Sequence, residues 1–245
     1  MMPLYDDNSD RQRTPYVTWT LIAINLFVFF VLQKSGENDA FTNAWSTVPK
    51  EILTGQDLAT TVNLGTNQLT GEKLQFSLEP TPGSVYLTLL TSMFMHGSLM
   101  HLLGNMLFLY IFGDNVEDKL GHVKYIVFYL LTGIIASLCH VFLAGIRQTD
   151  LLIPCLGASG AISAVMAGYV ITDPNRRVVV LVLRFLTEVP AWVMIGVWFL
   201  FQLINGIGLF GNDTESGGVA YAAHIGGFLA GAVLVYVMMP VIERR

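Results

Sequence analysis

Four polar side chains stand in otherwise apolar stretches: Ser159 in "LGASGAISA", His224 in "AHIGGFLAG", and His101 with Asn105 in "HGSLMHLLGNMLF". A serine hydroxyl is a weak nucleophile by itself, but a neutral imidazole within hydrogen-bond reach takes its proton as Oγ attacks a carbonyl. Ser159 and His224 suit those two roles. At the start of a helix, Ser159 also brings its own N–H and the positive end of the helix dipole toward a developing negative charge. His101 and Asn105, four residues apart, share one helix face and supply two further donors for an oxyanion, each worth about 3 kcal/mol in such a site. Gly157 and Gly160 leave the backbone open to close approach. The nearest carboxylates, Asp114, Glu117 and Asp118, fall well below this level, so the pattern reads as a Ser–His dyad without an acidic third member.

These groups need elements that hold them at one depth. With 53% hydrophobic and 13% charged residues over 245 positions, the chain has the balance of a membrane protein. Six apolar segments, roughly 17–33, 97–113, 124–145, 159–172, 178–209 and 219–240, predict membrane helices. The fifth is too long for one crossing, so Val178 to Phe185 is assigned in part to the membrane interface, with Pro190 as a kink. At 1.5 Å per helical residue, Ser159 lies about 21 Å above the polar boundary at Asp173, His101 about 20 Å above Asp114, Asn105 about 14 Å above it, and His224 about 24 Å above Pro240. Polar residues from three helices thus share a layer nearer the outer face. Buried there they cost several kcal/mol unless partnered, which marks them as functional candidates.

Lys and Arg set the orientation. With the N-terminus inside, Arg11, Arg13, Lys119, Lys124, Arg176, Arg177, Arg184, Arg244 and Arg245 are cytosolic, against Lys34, Lys50, Lys73 and Arg147 outside. Both termini are therefore expected in the cytosol. Residues 17–33 follow Arg11 and Arg13 as a signal peptide would, but "VLQKSGENDA" offers no small-residue cleavage site, and the segment is kept as the first helix. Residues 1–16 read as a polar, poorly ordered tail, and 17–245 as one membrane domain. The long outer loop, 34–84, carries turn signals together with apolar pieces such as "AWSTVPKEIL", which predicts a partly structured flap. In "LLIPCLGA", Pro154 and Gly157 predict an extended segment dipping inward before the fourth helix, tolerable at that depth only if protein or a wet cavity satisfies its backbone. The short connectors point to a prokaryotic plasma membrane.

The same residues bear on other functional classes. Cys139 and Cys155 are the only cysteines, enough for one bridge but no metal framework, and no cofactor or metal site is indicated. No basic cluster suggests nucleic acid. Taken singly, "GASG" reads as helix packing, a lone His or Asn as interhelical glue, and Gly227 with Gly231 as GxxxG spacing. That packing reading is accepted for the glycines because it draws the sixth helix toward the fourth. A non-catalytic client-binding membrane protein uses the same scaffold, and a small transporter uses the same polar layer. The latter lacks inverted repeats and an acidic relay.

The combined motifs resemble the rhomboid intramembrane serine proteases: "HGSLMHLLGNMLFLYIFGDNVED" with His101 and Asn105, "GASG" with Ser159 and "AHIGGFLAG" with His224, in the family's order over roughly residues 85–240. The first segment, "VTWTLIAINLFVFF", is also similar to a rhomboid first helix. The resemblance implies an all-α polytopic membrane protein, a six-transmembrane-helix rhomboid-like bundle with a long first outer loop. It implies Ser159 as nucleophile, His224 as general base, and His101 and Asn105 as oxyanion ligands. His96 either lines the water-accessible mouth or is structural, the latter being preferred. Glu117 matches a position that ties helix ends together. The implied activity is endoproteolysis of transmembrane segments in other membrane proteins, with lipid as the surroundings. Two features depart from the family: Trp45 has no adjacent arginine, and Ser163 replaces an aromatic expected to stack on His224.

Overall fold

A computed structural model describes residues 1–66, 71, 73–206 and 221–239. Arg244 and Arg245 from the charge count, and Pro240 from the depth count, lie outside the described residues. The chain is mostly helical. In order it forms β1 (Met2–Asp6), α1 (Tyr16–Phe27, extended by a π-helical turn Val28–Leu32), α2 (Asp39–Ala44), α3 (Pro49–Thr54), β2 (Thr60–Thr66) and β3 (Lys73–Leu78). Then come α4 (Thr88–Thr91) between 3-10 turns, α5 (Leu99–Leu120), α6 (His122–Arg147), α7 (Ser159–Thr172), β4 (Arg177–Val182), β5 (Phe185–Pro190), α8 (Ala191–Gly206) and α9 (Tyr221–Met238).

α7 is the axis of the bundle. Its residues 160–169 are all buried, the mark of a helix that is apolar all round and enclosed by others. It packs most extensively on α9, and also on α5 and α6. The α7–α9 contact is close because both faces are small: a Cβ on Gly227 would overlap the Gly160 carbonyl, and one on Gly231 would overlap the backbone of Ala164. The bundle's outer surface exposes large apolar side chains, among them Phe142, Ile146, Leu200, Phe201, Val233 and Tyr236, as lipid surroundings require.

Among the described residues, His122–Arg147 and Tyr221–Met238 are long and apolar enough to cross a membrane, and a third span results if Val85–Phe94 and Leu99–Leu120, bent by 77°, count as one. Tyr16–Leu32, Ser159–Thr172 and Ala191–Gly206 are shorter apolar helices. Among the described residues, six apolar helical segments thus occupy the expected regions.

The fifth segment differs from expectation. Residues 178–190 are not the start of a long helix: β4 and β5 form an antiparallel hairpin with Val178 opposite Val189 and Val182 opposite Phe185. The run "RVVVLV" is β-branched, which favours a pleated strand over a helix, and Pro190 ends β5 before α8 begins. The N-terminal residues, read as a poorly ordered tail, supply the third strand, with Met2 opposite Leu181 and Asp6 opposite Val178. The sheet order is β1-β4-β5.

Polar side chains fasten this end. Glu117 is fully buried and accepts from the N–H groups of Val17 (2.9 Å) and Thr18 (2.7 Å), from the Thr18 hydroxyl (2.7 Å) and from His122 Nδ1 (2.6 Å). One carboxylate therefore satisfies donors at the starts of α1 and α6. Asp6 Oδ2 accepts from Tyr169 OH at 2.6 Å and from Asn115 Nδ2 at 3.0 Å, and Arg11 pairs with Asp114 at 2.7 Å. At the other end, the loop after α1 is structured: α2, α3 and the β2–β3 hairpin lie between α1 and α4 in the chain, and α3 packs on α6.

Candidate active site

Ser159 is the first residue of α7, and the chain reaches it through a turn and an isolated bridge at Cys155. Residues 151–158 carry no helix. Thr47 and Cys155 exchange backbone hydrogen bonds of 3.0 and 2.8 Å, and Gly157 N–H donates to the Ser92 carbonyl at 2.8 Å. The flap and the turn before α5 thus satisfy backbone groups of this half-buried segment. Gly157 has φ of +121°, and a Cβ there would sit 2.9 Å from His101 Cε1 and Nε2. Only glycine allows the chain to pass His101 this closely and turn into α7.

The geometry brings the two central side chains into contact. His224 Nε2 lies 2.7 Å from Ser159 Oγ. Tight α7–α9 packing through Gly160, Gly227 and Gly231 makes this approach possible. His101 and Asn105 project from α5 into the same cavity, of about 600 Å³, which Ser159, Gly157, Trp198 and His224 also line. Four groups expected at one depth therefore face one space. The α5 start that aims them is capped by Ser98, whose hydroxyl accepts from the His101 N–H at 3.1 Å.

His96 takes the structural role. It is wholly buried and is absent from the cavity wall. Its Nε2 accepts from Asn105 Nδ2 at 2.9 Å, its ring meets His101 edge-on at 5.1 Å, and Gln33 holds its backbone N–H (2.9 Å) and carbonyl (3.0 Å). One amide hydrogen of Asn105 is thus committed, which fixes the direction of the other. Both cysteines are free thiols, so no bridge forms between Cys139 and Cys155.

Ser163 does not stack on His224; its hydroxyl donates to the Ser159 carbonyl at 2.6 Å, one turn back. Tyr221 of α9 meets the imidazole edge-on at 6.5 Å, and two further neighbours reach it from α8. Gln202 Oε1 is 2.8 Å from His224 Nδ1, and the Trp198 ring lies 5.9 Å away at 38°. Sequence reasoning missed both. The signal was present, since Gln202 is a strongly polar residue inside "VWFLFQLI", but reading 178–209 as one overlong segment left its depth undefined.

Residues 83–241 match the family model for the Rhomboid domain. The chain is 27% identical over 159 residues to Rhomboid protein 1, mitochondrial, of Saccharomyces cerevisiae, covering 65% of this chain and 44% of that protein. It is 32% identical over 112 residues to the human presenilin-associated rhomboid-like protein, mitochondrial (46% of this chain, 29% of that one), and 30% identical over 159 residues to RHOMBOID-like protein 12, mitochondrial, of Arabidopsis thaliana (60% and 44%). Each alignment spans less than half of the relative's length. With about two thirds of its length matched by one domain model, and with the motif residues gathered around one cavity, the chain belongs to the rhomboid family.

Proposed function

We propose that the protein is an intramembrane serine endopeptidase that cleaves transmembrane segments of other membrane proteins through Ser159 and His224. The observation that carries this reading is the 2.7 Å contact between Ser159 Oγ and His224 Nε2 on the wall of the cavity. In the proposed cycle Oγ attacks the scissile carbonyl while Nε2 takes its proton, and a tetrahedral oxyanion forms. The Ser159 N–H, His101 and the free hydrogen of Asn105 donate to that oxyanion. The imidazolium returns the proton to the departing amine, leaving an acyl-enzyme. A water, deprotonated by the same imidazole, then releases the acid and restores Ser159. The chemistry calls for no metal or cofactor.

The substrate class follows from helix energetics. A transmembrane helix hides its carbonyls in i to i−4 bonds and must unwind before attack, so helix-weakening Gly or Pro near the cut and a small residue at it are expected. Entry beside α8 suits such a segment. The proposed topology has six crossings, residues 17–245 as one protease domain and both termini cytosolic, on the strength of the Lys and Arg distribution. The chain is a membrane protein. The short connectors favour a prokaryotic plasma membrane, the relatives' names say mitochondrial, and fractionation of source cells decides between them.

The competing reading keeps the rhomboid scaffold as a non-catalytic binder of transmembrane clients. Ser159→Ala separates the two. The protease reading expects client processing to stop while client binding persists; processing that continues unchanged contradicts it.

A further inference from the structure

His224 meets Ser159 with one ring nitrogen and Gln202 with the other: Nε2 is 2.7 Å from Oγ, and Nδ1 is 2.8 Å from Oε1. A carboxamide oxygen only accepts, so the proton at this contact belongs to Nδ1. A neutral imidazole carries one proton, which leaves Nε2 bare and facing the Ser159 hydroxyl. That is the tautomer a general base needs. We propose that Gln202 is a positioning residue that completes Ser159 and His224 into a three-member chain, fixing the tautomer and orientation of the base from α8.

Three observations support this assignment. Gln202 is buried, with 5% of its surface exposed, and a buried amide is costly unless its polar atoms are used. Its helix presents Trp198 one turn earlier on the same face, so hydrogen bond and ring contact reach His224 together. The side chain expected to brace the base from α7 is Ser163, whose hydroxyl is spent on the Ser159 carbonyl. Because the bond links α8 to α9, the base is aimed only while α8 stays docked.

This inference rests on the proteolytic reading, and the test keeps the two apart. Rates of Ser159 modification by a fluorophosphonate are compared among the full-length wild type, Gln202→Met and Gln202→Glu, with thermal midpoints as the folding control. Met preserves volume and apolar packing but lacks a strong acceptor; Glu restores an acceptor of the same shape. The expected result is a rate about 10- to 100-fold lower in Gln202→Met, the usual cost of leaving a buried donor without its acceptor, and a rate within a few-fold of wild type in Gln202→Glu. Equal rates in wild type and Gln202→Met overturn the inference and leave the protease reading intact. Equal losses in both variants also overturn it, as they mark a purely structural role. A wild type that does not label ends both. Should Gln202→Glu fail to fold, the 15N spectrum of histidine-labelled wild type decides: a protonated Nδ1 on His224 is expected, and a protonated Nε2 with bare Nδ1 contradicts the assignment.

Discussion

Gly157 does for the site what no other residue can. Its φ of +121° and its approach to the His101 ring allow the non-helical segment to pass His101 closely and deliver Ser159 at the head of α7. Alanine there meets the imidazole and a strained backbone region costing about 1–3 kcal/mol. Gly157→Ala is therefore expected to displace His101 and lower turnover about 100-fold, the usual penalty for misplacing a catalytic group by about 1 Å. Cleavage of a reporter client, measured beside the thermal midpoint, checks this; wild-type turnover contradicts it. The identities of Ser159, His224, His101 and Asn105 were legible because ionisable and polar groups are rare in apolar segments and their depths could be counted. Their supports were not. That Asn105 leans on His96, and that Ser163 turns back to Ser159, depends on rotamers and neighbours that spacing does not encode.

Elements carry two further consequences. The α7–α9 contact has no room for side chains at Gly227 or Gly231, so Gly227→Val forces the helices apart and separates His224 from Ser159. A loss of about 1–3 kcal/mol is expected from overpacking, read as a lower thermal midpoint in detergent, together with loss of turnover; an unchanged midpoint contradicts the packing account. The strand β1 is held through Asp6, which faces Tyr169 of α7, Asn115 and Asp114 of α5, and Arg176 before β4. Burial raises its carboxyl pKa from 3.8 to about 6, against the opposing effect of the Tyr169 hydrogen bond. Because the folded value is the higher one, the folded protein binds the proton more tightly. Stability from this group is thus greatest below about pH 4 and declines as pH rises through about 6. Asp6→Asn, which is neutral throughout, is expected to flatten that dependence between about pH 4 and 6, as read by protection of the N-terminal segment from proteolysis. A slope identical to wild type contradicts the account. The GxxxG pairing was readable as sequence, whereas the hairpin was not: a short β-branched run in an apolar stretch fits a helix or a strand, and its pairing with residues 2–6 is a contact across more than 170 positions.

At the scale of the whole molecule, apolar helices enclose a cavity lined by Ser159, His224, His101 and Asn105, while the Glu117 and Asp6 networks fasten α1, α5, α6, α7 and β1 to one another. The membrane class followed from composition. The span count did not, because α1, α7 and α8 are short, and hydropathy cannot say how far a short helix reaches when neighbours bury its ends. A protease built this way should demand a substrate that unwinds. A reporter with Gly or Pro in its span is expected to be cleaved at least about 10-fold faster than one with an unbroken poly-Leu span, since each such residue weakens a helix by about 1–3 kcal/mol; equal cleavage contradicts the unwinding requirement. The central claim, that Ser159 is an activated nucleophile with His224 as its base, is tested most directly without any substrate. Mass spectrometry of detergent-purified protein after fluorophosphonate treatment is expected to find one adduct, on Ser159, lost in His224→Ala and after denaturation. A folded protein that carries no adduct on Ser159, or an adduct that persists in His224→Ala, contradicts it.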